Sequence, residues 1–291
     1  MQRITYINLR GEQAAFGRGG PWLLRSVRGL GTCENELTLT SGGMENGARI
    51  QAFRREERIV TAQVQLLAES RADLYRRRVE LCRLLSPDLG AQGAQRARLI
   101  YENDLGAWWT WAVPLGGLDW GARVGDIHTG LNVRFQCESP FFFGREAREA
   151  VFRQTGGGLR LPGGLPLRLG SQVFHMRVVN EGSAFAPCVV TVEGSGETPA
   201  MENRSTGALL RMVAPLAAGE RLTINTDPAA LSATLTHADG SGENAFGYLD
   251  PTSALSDFGL RPGENELVYL PAGDRSRSVI RVSWHDTFEG V

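Results

Sequence analysis

Lysine is absent from this 291-residue chain, and all 31 basic residues are arginine. Arginine suits bidentate, partly buried pairing better than lysine does. Codon bias in a GC-rich genome gives the same pattern without functional content. Apolar runs are short, and none approaches the roughly 20 residues that a membrane-spanning helix needs. The opening MQRITYINLRGEQ lacks the apolar core of an export signal, so secretion through one is not expected. A basic excess is also missing, since 31 arginines stand against 32 acids. Residues 1–145 hold 19 arginines and 15 acids, and residues 146–291 hold 12 and 17. Neither half has the charge of a dedicated nucleic-acid binder.

The four cysteines, Cys33, Cys82, Cys137 and Cys188, stand roughly fifty residues apart with no CxxC spacing. A zinc site is therefore not expected, and four reduced thiols acting mostly as small core residues are. His128, His175, His237 and His285 are too scattered for a triad or a metal cluster. Glu193, Glu197, Glu202, Asp250 and Asp257 are acids whose spacing pairs no two across a cleft, as a glycosidase would require. The Gly-x-Gly of VEGSGETPA follows a strand, but Pro199 and a turn stand where a dinucleotide-binding helix would begin. Asn203-Arg-Ser205 fits a glycosylation sequon, which means little without an export signal. The expected inventory is no catalytic residue, no cofactor and no metal.

What the chain does contain is strands. Hydrophobic residues make up 42% and charged residues 22%, which suits a globular protein with a core. In residues 59–66, Val60, Ala62, Val64 and Leu66 alternate with Thr61, Gln63 and Gln65, the pattern of a half-buried strand. Further strands are expected at 4–9, 22–27, 36–40, 48–53, 99–101, 107–113 and 126–137. Asn103 to Gly106 reads as a hairpin loop. Trp109 and Trp111 share one face of their strand and Trp108 takes the other, as core or subunit-interface residues. One helix is predicted over about 70–86. Ser70 is its N-cap, with Asp73 in a capping-box position and Ser86-Pro87 as its stop. Leu74, Arg78, Leu81 and Leu85 form one row of its apolar stripe, and Tyr75, Val79 and Cys82 the next.

Residues 146–172, TGGGLRLPGGLPLRLG included, read as an extended Gly/Pro-rich connector, with 149–154 as a candidate strand belonging to either side. Beyond it, over 173–291, short apolar runs alternate with tight turns. Residues 178–226 set the rhythm, and strands follow at 232–237, 245–249, 266–270 and 278–284. About eight strands without a helix predict a jelly-roll or galectin-like sandwich. The fold class is thus mainly β, with an N-terminal β-rich domain (1–145) bearing one helix and a C-terminal sandwich.

Certain of these residues carry a resemblance. In the second half they are Asn180, Gly182, Pro187, Gly194, Pro199, Asn203, Thr206-Gly207, Gly219-Glu220 and Ile224-Asn225-Thr226. Asp239-Gly240, Asn244, Leu249-Asp250, Ser253, Leu260, Pro262-Gly263 and Asn265 continue it. In the first half they are the Arg58 strand, the helix ending at Ser86-Pro87, the tryptophan hairpin, and Phe135, Cys137 and Ser139-Pro140 before the aromatic triplet 141–143. In order and spacing the chain resembles siphophage distal tail proteins, the siphovirus tail-component family. The resemblance implies a ring, usually a hexamer, built by the N-terminal domains at the distal end of a virion tail assembled in the bacterial cytoplasm. Implied partners are further copies of the chain, the tail tube protein, the tail-tip hub protein and, as a further candidate, the tape-measure protein. DNA would only pass through the channel, and no membrane insertion is implied. Tails of phages, prophages and gene transfer agents fall under it alike. The family is not recognised by catalytic residues, so none is carried over. An alternative is a carbohydrate-binding module for host adhesion, with Trp284, Tyr248, Phe246 and Tyr269 as stacking platforms.

Overall fold

The computed structural model describes residues 2–43, 46–87, 97–121, 128–153, 174–194, 198–270 and 279–291. The chain forms two compact units, Met1–Arg145 with Phe288–Val291, and Glu146–Thr287.

The first unit contains β1 (Arg3–Ile7), β2 (Gln13–Phe16), β3 (Trp22–Arg28), β4 (Asn35–Thr40), β5 (Arg49–Arg55) and β6 (Arg58–Leu67). Helix α1 (Arg71–Leu84), β7 (Arg98–Glu102), β8 (Ala107–Pro114), β9 (His128–Cys137) and the start of β10 (Phe142–Arg153) follow. Strand β6 is its spine. It pairs antiparallel with β3 on one side and, over ten register positions, with β9 on the other. The alternation read from the sequence decides its faces, since Val60, Ala62, Val64 and Leu66 are buried. Pairing continues through β8, β7, β1 and β2, always antiparallel. Residues 13–16, not expected as a strand, form β2 because β1 folds back on them through Gly11, whose φ of 77° suits glycine.

Helix α1 begins as predicted, with Ser70 Oγ accepting from the Asp73 amide at 3.2 Å. The reciprocal bond differs: Asp73 Oδ2 accepts from the amide of Glu69, one residue before the cap. Only half of the expected stripe is buried. Leu74, Leu81, Leu84 and Leu85 enter the core, while Tyr75 and Val79 remain exposed, Val79 at 71%. A helix lying on a single sheet covers one row of side chains, and this one meets β2 and β6.

Arg58 sits in phase with the buried residues of β6 and is itself 2% exposed. Its Nη1 donates to the carbonyls of Gly29 and Gly31 at 2.5 and 2.6 Å. Nη2 donates to Pro140 and Glu289, both at 2.6 Å, and Nε to Pro140 at 3.1 Å. All five guanidinium N–H groups are thereby used. The Phe142 ring lies 4.5 Å below. Burial pushes the Arg58 pKa down, and among the described residues no carboxylate offsets the charge.

The second unit contains β11 (Phe174–Asn180), β12 (Ala186–Glu193), β13 (Ala200–Asn203), β14 (Ala208–Arg211), β15 (Arg221–Asn225) and β16 (Ser232–Thr236). It continues with β17 (Gly242–Asn244), β18 (Gly259–Leu260), β19 (Gly263–Leu270) and β20 (Val279–Phe288). One sheet has the order β17-β16-β15-β12-β20-β10, and the other β11-β19-β13-β14. Val190, Ile224 and Val282 from the first share one core with Met201, Leu267 and Tyr269 from the second. The unit is therefore a two-sheet sandwich.

Two expectations change. Residues 146–153, placed at the start of the connector, belong to β10, which takes in the candidate strand at 149–154 as far as residue 153, and Ala150 and Phe152 are buried in the sandwich core. Residues 154–172 of the connector lie outside the described residues. Residues 245–249 were expected as a strand and instead turn as a 3-10 helix, Phe246–Tyr248. Asn244 Oδ1 accepts from the Phe246 amide there, and Tyr248 N bonds Ala245 O, so the backbone closes on itself rather than pairing.

Replacing Arg58 by methionine should lower stability by about 3 kcal/mol or more, because buried carbonyls without a donor cost about 1–3 kcal/mol each. Urea unfolding followed by tryptophan fluorescence measures this. An unchanged midpoint would show that the clasp is dispensable.

Candidate functional site

Among the described residues, those singled out for chemistry do not converge. His175 Nδ1 meets Glu266 at 2.7 Å on an exposed surface. His237 Nδ1 meets Glu220 at 2.9 Å, with Glu243 at 3.7 Å from its Nε2. His285 lies half-buried on β20, and the side chain of His128 lies outside the described residues. Glu193 faces Arg221 and Arg281, and Glu202 faces Arg204. Asp250 holds a turn by accepting from the amide and hydroxyl of Thr252. Asp257 ends a second 3-10 turn, Leu255–Asp257, and Glu197 lies outside the described residues. Among the described residues no group of three His, Cys, Asp or Glu side chains could hold a metal ion.

The four thiols are free. Cys137 and Cys188 are buried, and burial pushes each thiol up to about 12. Cys33 is half-buried and also shifted upward by burial, and Cys82 is exposed.

The aromatic platform suggested by the sequence is not assembled. Trp284 and Tyr269 are buried in the sandwich core, Tyr248 packs against that core, and Phe246 is exposed. Packing takes them because Trp284 is in phase with Ile280 and Val282, and Tyr269 with Leu267.

The turn residues of the second unit do structural work instead. Asn180 Oδ1 accepts from the Gly182 amide, and its Nδ2 donates to Ala184 and Leu260 carbonyls. A Cβ at Gly182 would lie 2.0 Å from the Thr287 carbonyl, so no side chain fits. Asn203 Nδ2 donates to Gly259 O at 2.7 Å. Asn265 binds Arg261 through both its amide and carbonyl, across a turn whose Gly263 has φ 88°. These three asparagines are fully buried.

Among the described residues, a ribbon and a helix row leave clusters of apolar side chains uncovered. Strands β4 and β5 pair only with each other among the described residues. Leu37 faces Phe53, and Leu39 faces Ile50. Opposite residues share a face, so these four form one apolar face, with exposures of 47%, 62%, 55% and 64% in that order. The bulge between Thr38 and Leu39 brings Ile50 and Phe53, three apart in sequence, to the same side. On α1, Tyr75, Val79 and Cys82 are likewise exposed. Sequence reasoning located these elements but not their exposure. Of the tryptophans, Trp108 turns inward, 6.3 Å from Tyr101 and 6.1 Å from Phe288. Trp109 and Trp111 meet edge-on at 4.9 Å, with the Arg98 guanidinium over both rings.

No protein-family model matches the chain, and no curated protein sequence matches it. Solved structures do. The SPP1 Dit protein, described as a paradigm of the hub adsorption apparatus of phages infecting Gram-positive bacteria, aligns over 99% of both chains with a TM-score of 0.65 and 14% identity. The chain shares the fold of that protein. A chain of the phage p2 baseplate in its activated conformation with Sr aligns over 97% of this chain and 98% of its own, with a TM-score of 0.53 and 9% identity. One from the corresponding Ca structure aligns over 97% of both chains, at 0.51 and 9%.

The His237 pair yields a pH signature. Its hydrogen bond to Glu220 raises the His237 pKa above the ordinary 6.5. The same bond lowers Glu220 below the ordinary 4.5. The histidine's contribution is complete below 6.5 and is lost as pH rises through its raised pKa. The glutamate's is complete above 4.5 and is lost as pH falls through its lowered one. An NMR titration should find His237 above 6.5, and Glu220→Gln should return it toward that value; an unmoved midpoint would rule the pairing out.

Proposed function

We propose that this chain is a structural component of a phage tail tip. In this reading the first unit builds a ring, of six copies, between the tail tube protein and the tail-tip hub protein. The second unit forms a module on that ring, and DNA passes through the channel. The protein resides at the distal end of the virion tail, is assembled in the bacterial cytoplasm, and is not an enzyme.

The observation that carries this reading is the end-to-end likeness to a hub adsorption protein, which includes both units. The uncovered surfaces support assembly. A two-stranded ribbon alone is marginal in water, and this one leaves four large apolar side chains exposed on one face. The helix row of Tyr75, Val79 and Cys82 is a second, different patch on the same unit. Ring closure by one kind of contact needs two unlike patches on each copy, one meeting the other on the next. The chain supplies such a pair.

Negative-stain electron microscopy and mass photometry of the purified chain should show a closed ring. The double substitution Leu37→Asp and Phe53→Asp should shift it to monomer. Its melting temperature should stay within about 4 °C, since exposed positions contribute little to the isolated fold. A wild-type chain that stays monomeric at all concentrations, alone and with tube and hub proteins, would sink the reading.

A further inference from the structure

Strands β3, β6, β8 and β9 contain no aspartate or glutamate, although acids are roughly one residue in nine of this chain. Three of these strands, β3, β6 and β9, lie side by side, with Val60, Ala62, Val64, Leu131, Val133 and Phe135 toward the core. The opposite face carries only neutral polar, apolar and basic groups. Register places Arg28, Thr61 and Arg134 in one cross-strand row and Ser26, Gln63 and Asn132 in the next. At the bulge in β3, Arg25 Nε reaches Gln65 Oε1 at 2.7 Å. Ser26, Arg28, Thr61, Gln63 and Asn132 line a shallow concavity of about 170 Å³.

Among the described residues, the arginines of this face lack carboxylate partners. Several exposed arginines elsewhere meet carboxylates, as Arg54 does Glu36, Arg177 does Glu264 and Arg221 does Glu193. Arg25, Arg28 and Arg134 meet none among the described residues. A solvated sheet face needs no such exclusion, because mixed charges solubilise as well. A surface that a polyanion must approach does need it, since each acid would repel the ligand at close range.

We propose that this face is a contact surface for the phosphate backbone of duplex DNA. Arginine guanidinium groups pair with phosphate oxygens, and Ser, Thr, Asn and Gln side chains donate hydrogen bonds to the same atoms. Such contacts carry no sequence information, and three charges per chain give a weak contact that permits sliding. The inference rests on the tail-tip reading only for the source of the DNA.

The test is fluorescence anisotropy of a short labelled duplex titrated with the full chain over a range of salt concentrations. The logarithm of the affinity should fall with that of salt with a slope of about −3 per engaged chain. The triple substitution Arg25→Gln, Arg28→Gln and Arg134→Gln should weaken binding at least about tenfold at low salt and flatten the slope. A comparison triple in the second unit, Arg177→Gln, Arg204→Gln and Arg221→Gln, should keep both. If circular dichroism shows the first triple unfolded, Arg28→Gln and Arg134→Gln singly should each remove about one from the slope. Salt-independent or absent binding by the wild type, or equal loss in both triples, overturns the proposal. So does a triple that changes oligomeric mass and not DNA affinity, which would make the face an interface between copies. Rings that form without binding DNA overturn this inference alone. A monomer that binds DNA as described overturns only the tail-tip reading.

Discussion

A single buried cation holds the first unit together at the place where its chain segments meet. Arg58 has no carboxylate partner among the described residues, yet each of its N–H groups ends on a backbone carbonyl. Those carbonyls belong to the loop after β3, the turn between β9 and β10, and the C-terminal residues. A loop carbonyl buried without a donor is costly, and no regular pairing is available to these. One guanidinium fork satisfies them together, because its donors point in fixed, divergent directions. Lysine, with three donors and one charge centre, would leave part of this set open.

The same logic recurs in the second unit with neutral groups. Asn180, Asn203 and Asn265 are buried, and each closes a turn or ties it to a neighbouring strand. They use amides to do for turns what Arg58 does for loops. Many of the specific polar residues in this chain therefore specify loop geometry. The face of the first unit left bare of acids, the ribbon and the exposed helix row are then the surfaces available to other molecules.

Much of this was legible beforehand, for definite reasons. The alternation in residues 59–66 follows from the two-residue period of a strand and holds whatever the strand packs against. Ser70 as a cap, Asn103 to Gly106 as a hairpin and Gly263 in its turn are local matters of backbone dihedral and nearby hydrogen bonds. The same phase that buries Val60 and Ala62 reaches back to Arg58, so its burial could have been inferred. The common face of Ile50 and Phe53 could not, because residues three apart share a face only across a bulge. Nor could the exposure of Tyr75 and Val79, which depends on how many sheets the helix meets. Residues 245–249 misled because an apolar-aromatic run suits a strand or a 3-10 turn equally, and Asn244 tips it toward the turn.

The sequence by itself determined the strand-rich class, the place of helix α1 and the positions of many turns. Each of these depends on groups within a few residues of one another. Only the tertiary structure decided that Trp284 and Tyr269 are core and not platform, that Arg58 joins three distant segments, and that Arg28 and Arg134 share a row without an acid. Such facts depend on register between strands far apart in the chain. Register is set by the summed burial of a whole sheet face, which no local pattern encodes.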